Sequence, residues 1–255
     1  DGVSQIPFIF DGLGAGLNGL GVRYNDAEAK VVKVFEEEDV MAQLKVVREW
    51  FEEGIINADA ASTAEGPSYK ACFLAQGWSS AAKTVWGPNM GKELVAYTYG
   101  PTILSNDSVL GSVNYISVNS EHPAEALKFL DLLNNDSKVR DAFYYGLEGD
   151  NFEYTAEGRV HKNPDSSWGM AGYTQGTFFT VTPTDDVEFN QWDEVRELND
   201  AAEPSVLLGF AFDTSELNDQ ITNCKSIWDR YHAELLTGAK HWPYPTYGEM
   251  LFSVM

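Results

Sequence analysis

Hydrophobic and polar positions along the chain switch repeatedly between a helical period and short apolar runs. That alternation predicts an α/β fold. The clearest helical stretch is Val40–Glu53, where Val40, Leu44, Val47 and Phe51 recur three or four positions apart and share a face. Asp39 stands where an N-cap is expected, and Gly54 where the helix should stop. Pro123 suits the first turn of a second helix whose stripe is Ala126, Leu127, Leu130 and Leu133. Asp136 is then placed to cap a further helix through Tyr145. A short helix is expected over Gln191–Ala202, ending before Pro204. The longest is expected over Ser215–Leu236, with Leu217, Ile221, Cys224, Ile227, Trp228, Tyr231 and Leu235 on one face and Gly238 at its end.

Short apolar runs between these helices read as strands. Ala29–Phe35 is one, as a strand or the base of a loop. Lys70–Ala75, Glu93–Tyr99 and Ser112–Val118 read as buried strands, and Thr177–Thr182 is a further candidate. Trp50 and Trp228, inside helices, are expected in the core. No internal repeat and no low-complexity linker is present.

Composition narrows the function. Asp and Glu number 39 against 17 Lys and Arg, a net charge of −22. Nucleic-acid binding needs cations to displace counterions from phosphates, so nucleic acid is excluded as a partner, and anionic membrane surfaces should repel the chain. No stretch approaches the roughly 20 apolar residues of a membrane span. Cys72 and Cys224 could pair but do not make a disulfide framework. No Cys or His stands at metal-ligand spacing, so no structural zinc and no cofactor is expected.

Familiar catalytic signatures fail on mechanism. Gly14-Ala15-Gly16-Leu17-Asn18-Gly19 is formally G-x-G-x-x-G, yet Gly19, Gly21, Asn25 and Asp26 leave no room for the helix whose N-terminus would hold a pyrophosphate. A flexible glycine loop is the better reading. There is no Walker-type loop and no G-x-S-x-G elbow. With 39 acids, some pair always lies at glycosidase spacing, so carboxylates carry no specificity here.

Aromatic residues in polar, glycine-rich surroundings are more telling: Trp78, Trp86, Trp168, Tyr173 and Trp192. A ring in such a loop can pack on the C–H face of a sugar while nearby amides satisfy its hydroxyls. It can equally pin the loop onto the core, and both readings stay open.

Several segments together resemble a known family. YNDAEAKVVKVFEEEDVMAQLKVVREWFEEGIINADAA, from Tyr24 to Ala61, is similar to the second lobe of extracellular solute-binding proteins of bacterial ABC importers. In that family a helix ending in G-x-I-N-x-D precedes a strand that ends at a ligand-facing Trp, and here KACFLAQGW ends at Trp78. SVNYISVNSEHPAEALKFLDLLNNDSKVRD, Ser112 to Asp141, resembles the return to the first lobe. FYYGLEGDNFEYT and PSVLLGFAFD narrow the likeness to sugar-type, lipoprotein-type members of family 1. Two departures stand out. The family's Gly-Asn-Gln-Phe is represented by Gly176-Thr177-Phe178-Phe179, and the tail HWPYPTYGEMLFSVM does not follow the usual charged C-terminal helices.

The resemblance implies a periplasmic-binding-protein-like type II α/β fold with two lobes, here one lobe plus part of the other, in a C-terminal portion of a longer chain. Residues 1–104 would be a second-lobe segment, 105–117 a hinge crossing and 118–150 a first-lobe return. Residues 151–239 would form the cleft wall and a helical segment, and 240–255 an atypical tail. The implied function is non-enzymatic: an oligosaccharide held in the cleft and delivered to ABC permease subunits outside the cell. A lipid anchor lying outside this chain would be the membrane link. Trp78 is the first candidate to stack on the ligand, with Trp168, Tyr173 and Trp86 after it and Gln76 and Gln175 as hydrogen bonders. A carbohydrate-active enzyme and a non-catalytic interaction domain are the alternatives.

Overall fold

A computed structural model describes residues 9–13, 17, 19–63, 72–211 and 213–240. Along the chain come β1 (Phe10–Gly12), β2 (Leu20–Arg23), β3 (Val31–Lys33), α1 (Glu38–Glu52) and α2 (Gly87–Met90). They are followed by β4 (Ile103–Leu104), α3 (Asn106–Leu110), α4 (Pro123–Asn135) and α5 (Ser137–Tyr145). The remaining elements are β5 (Phe152–Tyr154), β6 (Val160–Lys162), α6 (Gln191–Asp200), β7 (Glu203–Pro204) and α7 (Asn218–Leu236). The chain divides into two units, one of residues 1–76, 103–106 and 203–255, the other of 77–102 and 107–202.

In the first unit β1, β2 and β3 form an antiparallel sheet, and β4 pairs in parallel with β7. Its core joins Phe10, Val34 and Phe35 to Val40, Leu44 and Val47 of α1 and Leu235 of α7. The helix-period reading of α1 holds, but its start differs. Asp39 lies inside the first turn and accepts from the Arg23 guanidinium at 2.7 Å instead of capping. Trp50 is half exposed, not core. At about 100° per residue it lies roughly 80° off the centre of the Val40–Leu44–Val47 stripe. Arg48 donates to the carbonyls of Gly238 and Ala239, tying α1 to the end of α7. A Cβ at Gly238 would stand 2.6 Å from the Val47 carbonyl, and its φ of +73° also requires glycine.

The glycine-rich segment lies partly outside the described residues, but Gly19 leads directly into β2. A strand therefore stands where a dinucleotide fold would need a helix.

In the second unit β5 and β6 pair antiparallel, and α5 and α6 share a core with this hairpin through Tyr145 and Trp192. Asp136 caps α5 as expected, its Oδ1 accepting from the Lys138 and Val139 amides at 2.9 and 3.1 Å. Asn190 caps α6 through the Trp192 amide.

Several expected strands are not strands. Lys70 and Ala71 lie outside the described residues, and Cys72–Ala75, Glu93–Tyr99 and Ser112–Ile116 carry no regular structure. Val95, Tyr97, Tyr99, Tyr115 and Val118 are all strongly exposed. The strand pattern is present in Glu93–Tyr99 and Ser112–Val118, but among the described residues no strand pairs with them. Within 177–182 the backbone donors are spent elsewhere. Thr177 donates to the Asn134 side chain, Thr182 to Asp141, and Val181 to the Phe178 carbonyl in a turn. Ala29–Phe35 is a strand only at Val31–Lys33, giving way to a 3-10 turn at Val34–Glu36. Cys72 is exposed, Cys224 is buried, and both are free thiols.

Candidate functional site

The core of the second unit is unusually aromatic. Tyr145, Phe152 and Trp192 are buried with Val160 and Val181, and Trp78, Tyr144, Tyr154 and Phe178 pack against them. Phe178 and Trp192 stack with centroids 4.6 Å apart and planes 10° from parallel. Trp78 leans on both, 5.9 Å from Phe178 and 5.6 Å from Trp192. Tyr144 meets Trp192 edge-on at 5.9 Å. Trp192 itself, a loop-like aromatic by its polar neighbours, is 1% exposed and belongs to the core. It sits on the inward side of α6, where the Asn190 cap starts the helix.

Trp78 is set by the turn that follows it. One oxygen of Glu194 accepts from the Ser79 amide at 2.9 Å and the other from the Ser80 amide at 3.0 Å, and each also accepts from the same residue's hydroxyl. A carboxylate on α6 thus closes the N-terminus of the helical segment after Trp78. Partial burial pushes the Glu194 carboxyl up, but the serine hydrogen bonds outweigh it and hold the group below its ordinary value. A carboxyl lowered in the folded state stabilises fully above its unfolded value of 4.5 and loses that contribution as pH falls through the folded value. Tryptophan fluorescence should therefore report an acid transition near Trp78 that is absent, with lower neutral-pH stability, in Glu194→Gln.

Trp86 packs under the turn before Trp78: a Cβ on Gly77 would stand 2.9 Å from its ring. It is only partly exposed and supports the turn. Gln76 is exposed and is the last residue of the first stretch of the other unit.

The second aromatic loop is Gly172–Thr177. Gly172 lies so close to the Tyr144 and Phe178 rings that a Cβ would overlap Tyr144. Tyr173, next in the chain, is 65% exposed, and Gln175 is exposed as well. Trp78 and this loop therefore share one supporting ring, Phe178. Trp168 is 49% exposed, on a turn where the Ser166 hydroxyl accepts from its amide and from Asn151. Charged and polar supports under these rings, Glu194, Arg140 and Asn134, escaped the sequence reading. Their roles depend on contacts at sequence separations of 32 to 115 residues, which no local pattern encodes.

Comparison with known proteins now bears on this geometry. Residues 206–251 match the family model "Domain of unknown function (DUF3502)". A curated protein of Streptococcus pneumoniae serotype 4, named "Carbohydrate ABC transporter substrate-binding protein", is 24% identical over 224 residues. The match takes in 82% of this chain and 44% of that protein. This chain is a homologue of that substrate-binding protein.

Its fold agrees. The crystal structure of the N-glycan transport solute-binding protein NgtS from Streptococcus pneumoniae matches with a TM-score of 0.84 at 21% identity, over 96% of this chain and 56% of that one. NgtS structures in complex with Man1GlcNAc and Man5GlcNAc match with TM-scores of 0.76 and 0.75. The fold is the two-lobed type II binding-protein fold expected above, and the chain spans about half the length of the relatives it matches. These substrate-binding relatives are named for transport and not for catalysis. No helix among the described residues is long and apolar enough to cross a membrane.

Proposed function

We propose that this chain forms the ligand-holding part of the solute-binding subunit of a bacterial ABC importer for oligosaccharides. The observation that carries the reading is the presentation of rings on pinned backbone. Tyr173 and Trp168 are exposed on turns fixed from beneath, and Trp78 is part-exposed at the border of the same aromatic core. Rings held this way lose little entropy on meeting a flat sugar face. Gln175, exposed beside Tyr173, supplies an amide for hydroxyls, and Gln76 does so beside Trp78 in sequence. The two NgtS complexes with mannose-containing oligosaccharides support the ligand class.

The reading is of a binding protein that returns its ligand intact to permease partners, outside the cell, with a lipid anchor on the whole protein. The division into residues 1–104, 105–117, 118–150, 151–239 and 240–255 is carried forward with it. The exposed apolar segments Glu93–Tyr99 and Ser112–Val118 then have an occupant. Their alternating side chains and unpaired edges await strands from the half of the relatives that this chain does not span.

Titrating the full-length protein with Man5GlcNAc while following tryptophan fluorescence tests the function. A saturable response with the sugar recovered intact is expected, and Trp78→Ala should weaken binding by about tenfold or more. Recovery of cleaved sugar would overturn the reading in favour of a glycosidase. Unchanged affinity in Trp78→Ala would remove that ring from the site.

A further inference from the structure

The loop bearing Tyr173 and Gln175 is closed by one side chain that a sugar cannot touch. Arg140, in the first turns of α5, is 0% exposed. Its Nε donates to the Thr177 carbonyl at 2.7 Å and its Nη2 to the Gly172 carbonyl at 2.8 Å. These two carbonyls are the ends of the segment Gly172–Thr177. The planar guanidinium thus spans the base of the loop like a strut, and its plane lies 5.4 Å from the Tyr144 ring centre. Asn134, at the end of α4, adds a third tie by accepting from the Thr177 amide at 2.9 Å.

Nothing in this arrangement resembles an ordinary buried ion pair. No carboxylate hydrogen-bonds Arg140, and among the described residues its Nη1 has no partner. Burial consequently pulls the guanidinium down from its usual value, against the pull of Tyr144, Asp141 and Tyr145. A fully buried cation with an unmet donor is costly to keep for packing alone, because an apolar side chain of the same volume would avoid that cost. What an apolar side chain cannot do is donate to the two inward-facing carbonyls. Gly176 passes over Arg140 with a φ of +67°, where a Cβ would stand 3.1 Å from Nε and 3.2 Å from Leu133 Cγ, so the loop lies close on the guanidinium.

We propose that Arg140 is a positioning residue for ligand binding: it holds the Gly172–Thr177 loop in the one shape that presents Tyr173 and Gln175 outward. The inference rests on the function proposed above and adds a determinant that never meets the ligand. Lysine cannot replace it, since a single ammonium on a flexible stem cannot brace two carbonyls at fixed separation.

The test compares Arg140→Lys, Arg140→Met, Tyr173→Ala and the double variant Arg140→Lys/Tyr173→Ala in the full-length protein, with Man5GlcNAc as the probe. Each is read by calorimetric affinity, circular dichroism and amide hydrogen exchange. Tyr173→Ala and Arg140→Lys should each weaken binding by about tenfold. The double variant should be little weaker than Arg140→Lys alone, because losing the strut has already taken the Tyr173 ring from its place. Exchange should rise at Gly172–Thr177 while α4 and β5–β6 keep their protection, which a general loss of folding would not produce. Arg140→Met serves the same comparison if the lysine variant fails to fold. Weakened binding in Tyr173→Ala with unchanged affinity in the Arg140 variants would overturn the strut. Additive losses in the double variant would overturn it too. Unchanged affinity in Tyr173→Ala would instead overturn the loop's place in the site, and with it the inference, while leaving Trp78 to be judged separately.

Discussion

Trp192→Ala is expected to cost about 3–5 kcal/mol of folding stability, a large share of the total of a domain this size. The ring is 1% exposed and stacked on Phe178, with Trp78 and Tyr144 against it on other sides. Removing it leaves a cavity bounded by rings whose own positions are fixed by Glu194 and by the Gly172 backbone, so the site can collapse only partly. Trp192→Phe should behave differently. Among the described residues the Trp192 Nε1 is buried without a partner, and so is that of Trp78. Deleting that unmet donor returns about 1–3 kcal/mol against the smaller volume lost. Urea unfolding followed by circular dichroism separates the cases. An alanine variant as stable as the parent would mean that the stack is not part of the folding core.

A comparable loss is expected for Asp141→Ala. This carboxylate is fully buried on α5 and accepts from the Tyr154 hydroxyl and the Thr182 amide, both at 2.8 Å. The Tyr145 hydroxyl donates to the Thr182 carbonyl beside it. Alanine would leave two part-buried donors without an acceptor, at up to about 1–3 kcal/mol each. Asparagine keeps one acceptor and should lose less. The same group of side chains sets the alkaline limit of the fold. Burial first, then the hydrogen bond to Asp141, pushes the Tyr154 phenol well up, and burial does the same for Tyr145. Because the folded state favours the protonated phenols, their contribution is whole below the ordinary tyrosine value of 10 and is lost as pH climbs beyond it. A spectrophotometric titration should show a fraction of the tyrosines ionising only with unfolding. Asp141→Ala should bring that transition to lower pH, and an unchanged alkaline midpoint would remove Asp141 from the network.

These two sites show how unevenly the fold was written in local patterns. Trp192 lies among Phe189, Asn190, Gln191, Asp193 and Glu194, and those neighbours suggested an exposed ring. The ring is buried because Asn190 starts α6 so that one side of a polar helix faces the aromatic core. Trp78 and Tyr173 stood out from their small, polar neighbours, and the structure sets Trp78 against Phe178 and packs Gly172, just before Tyr173, on the same ring. Trp86 stood out for the same reason and serves as a support for the Gly77 turn. Arg140 and Glu194 were invisible, since one charged residue on an acidic, amphipathic helix looks like every other until its partners are known.

By itself the sequence determined where the long helices lie and where two of them stop, the absence of a nucleotide-type glycine helix, and a resemblance to sugar-transport binding proteins. Helical period, Asp136 as a cap, and Gly54 and Gly238 as stops act within a few residues, so they survive without tertiary context. Only the tertiary structure decided which apolar runs are covered. Glu93–Tyr99 and Ser112–Val118 carry the alternation of strands, yet a strand exists only where a neighbour pairs with it, and among the described residues none does. It likewise decided that a buried guanidinium closes the Tyr173 loop, because two carbonyls 32 and 37 residues away along the chain meet it only once the helices have packed.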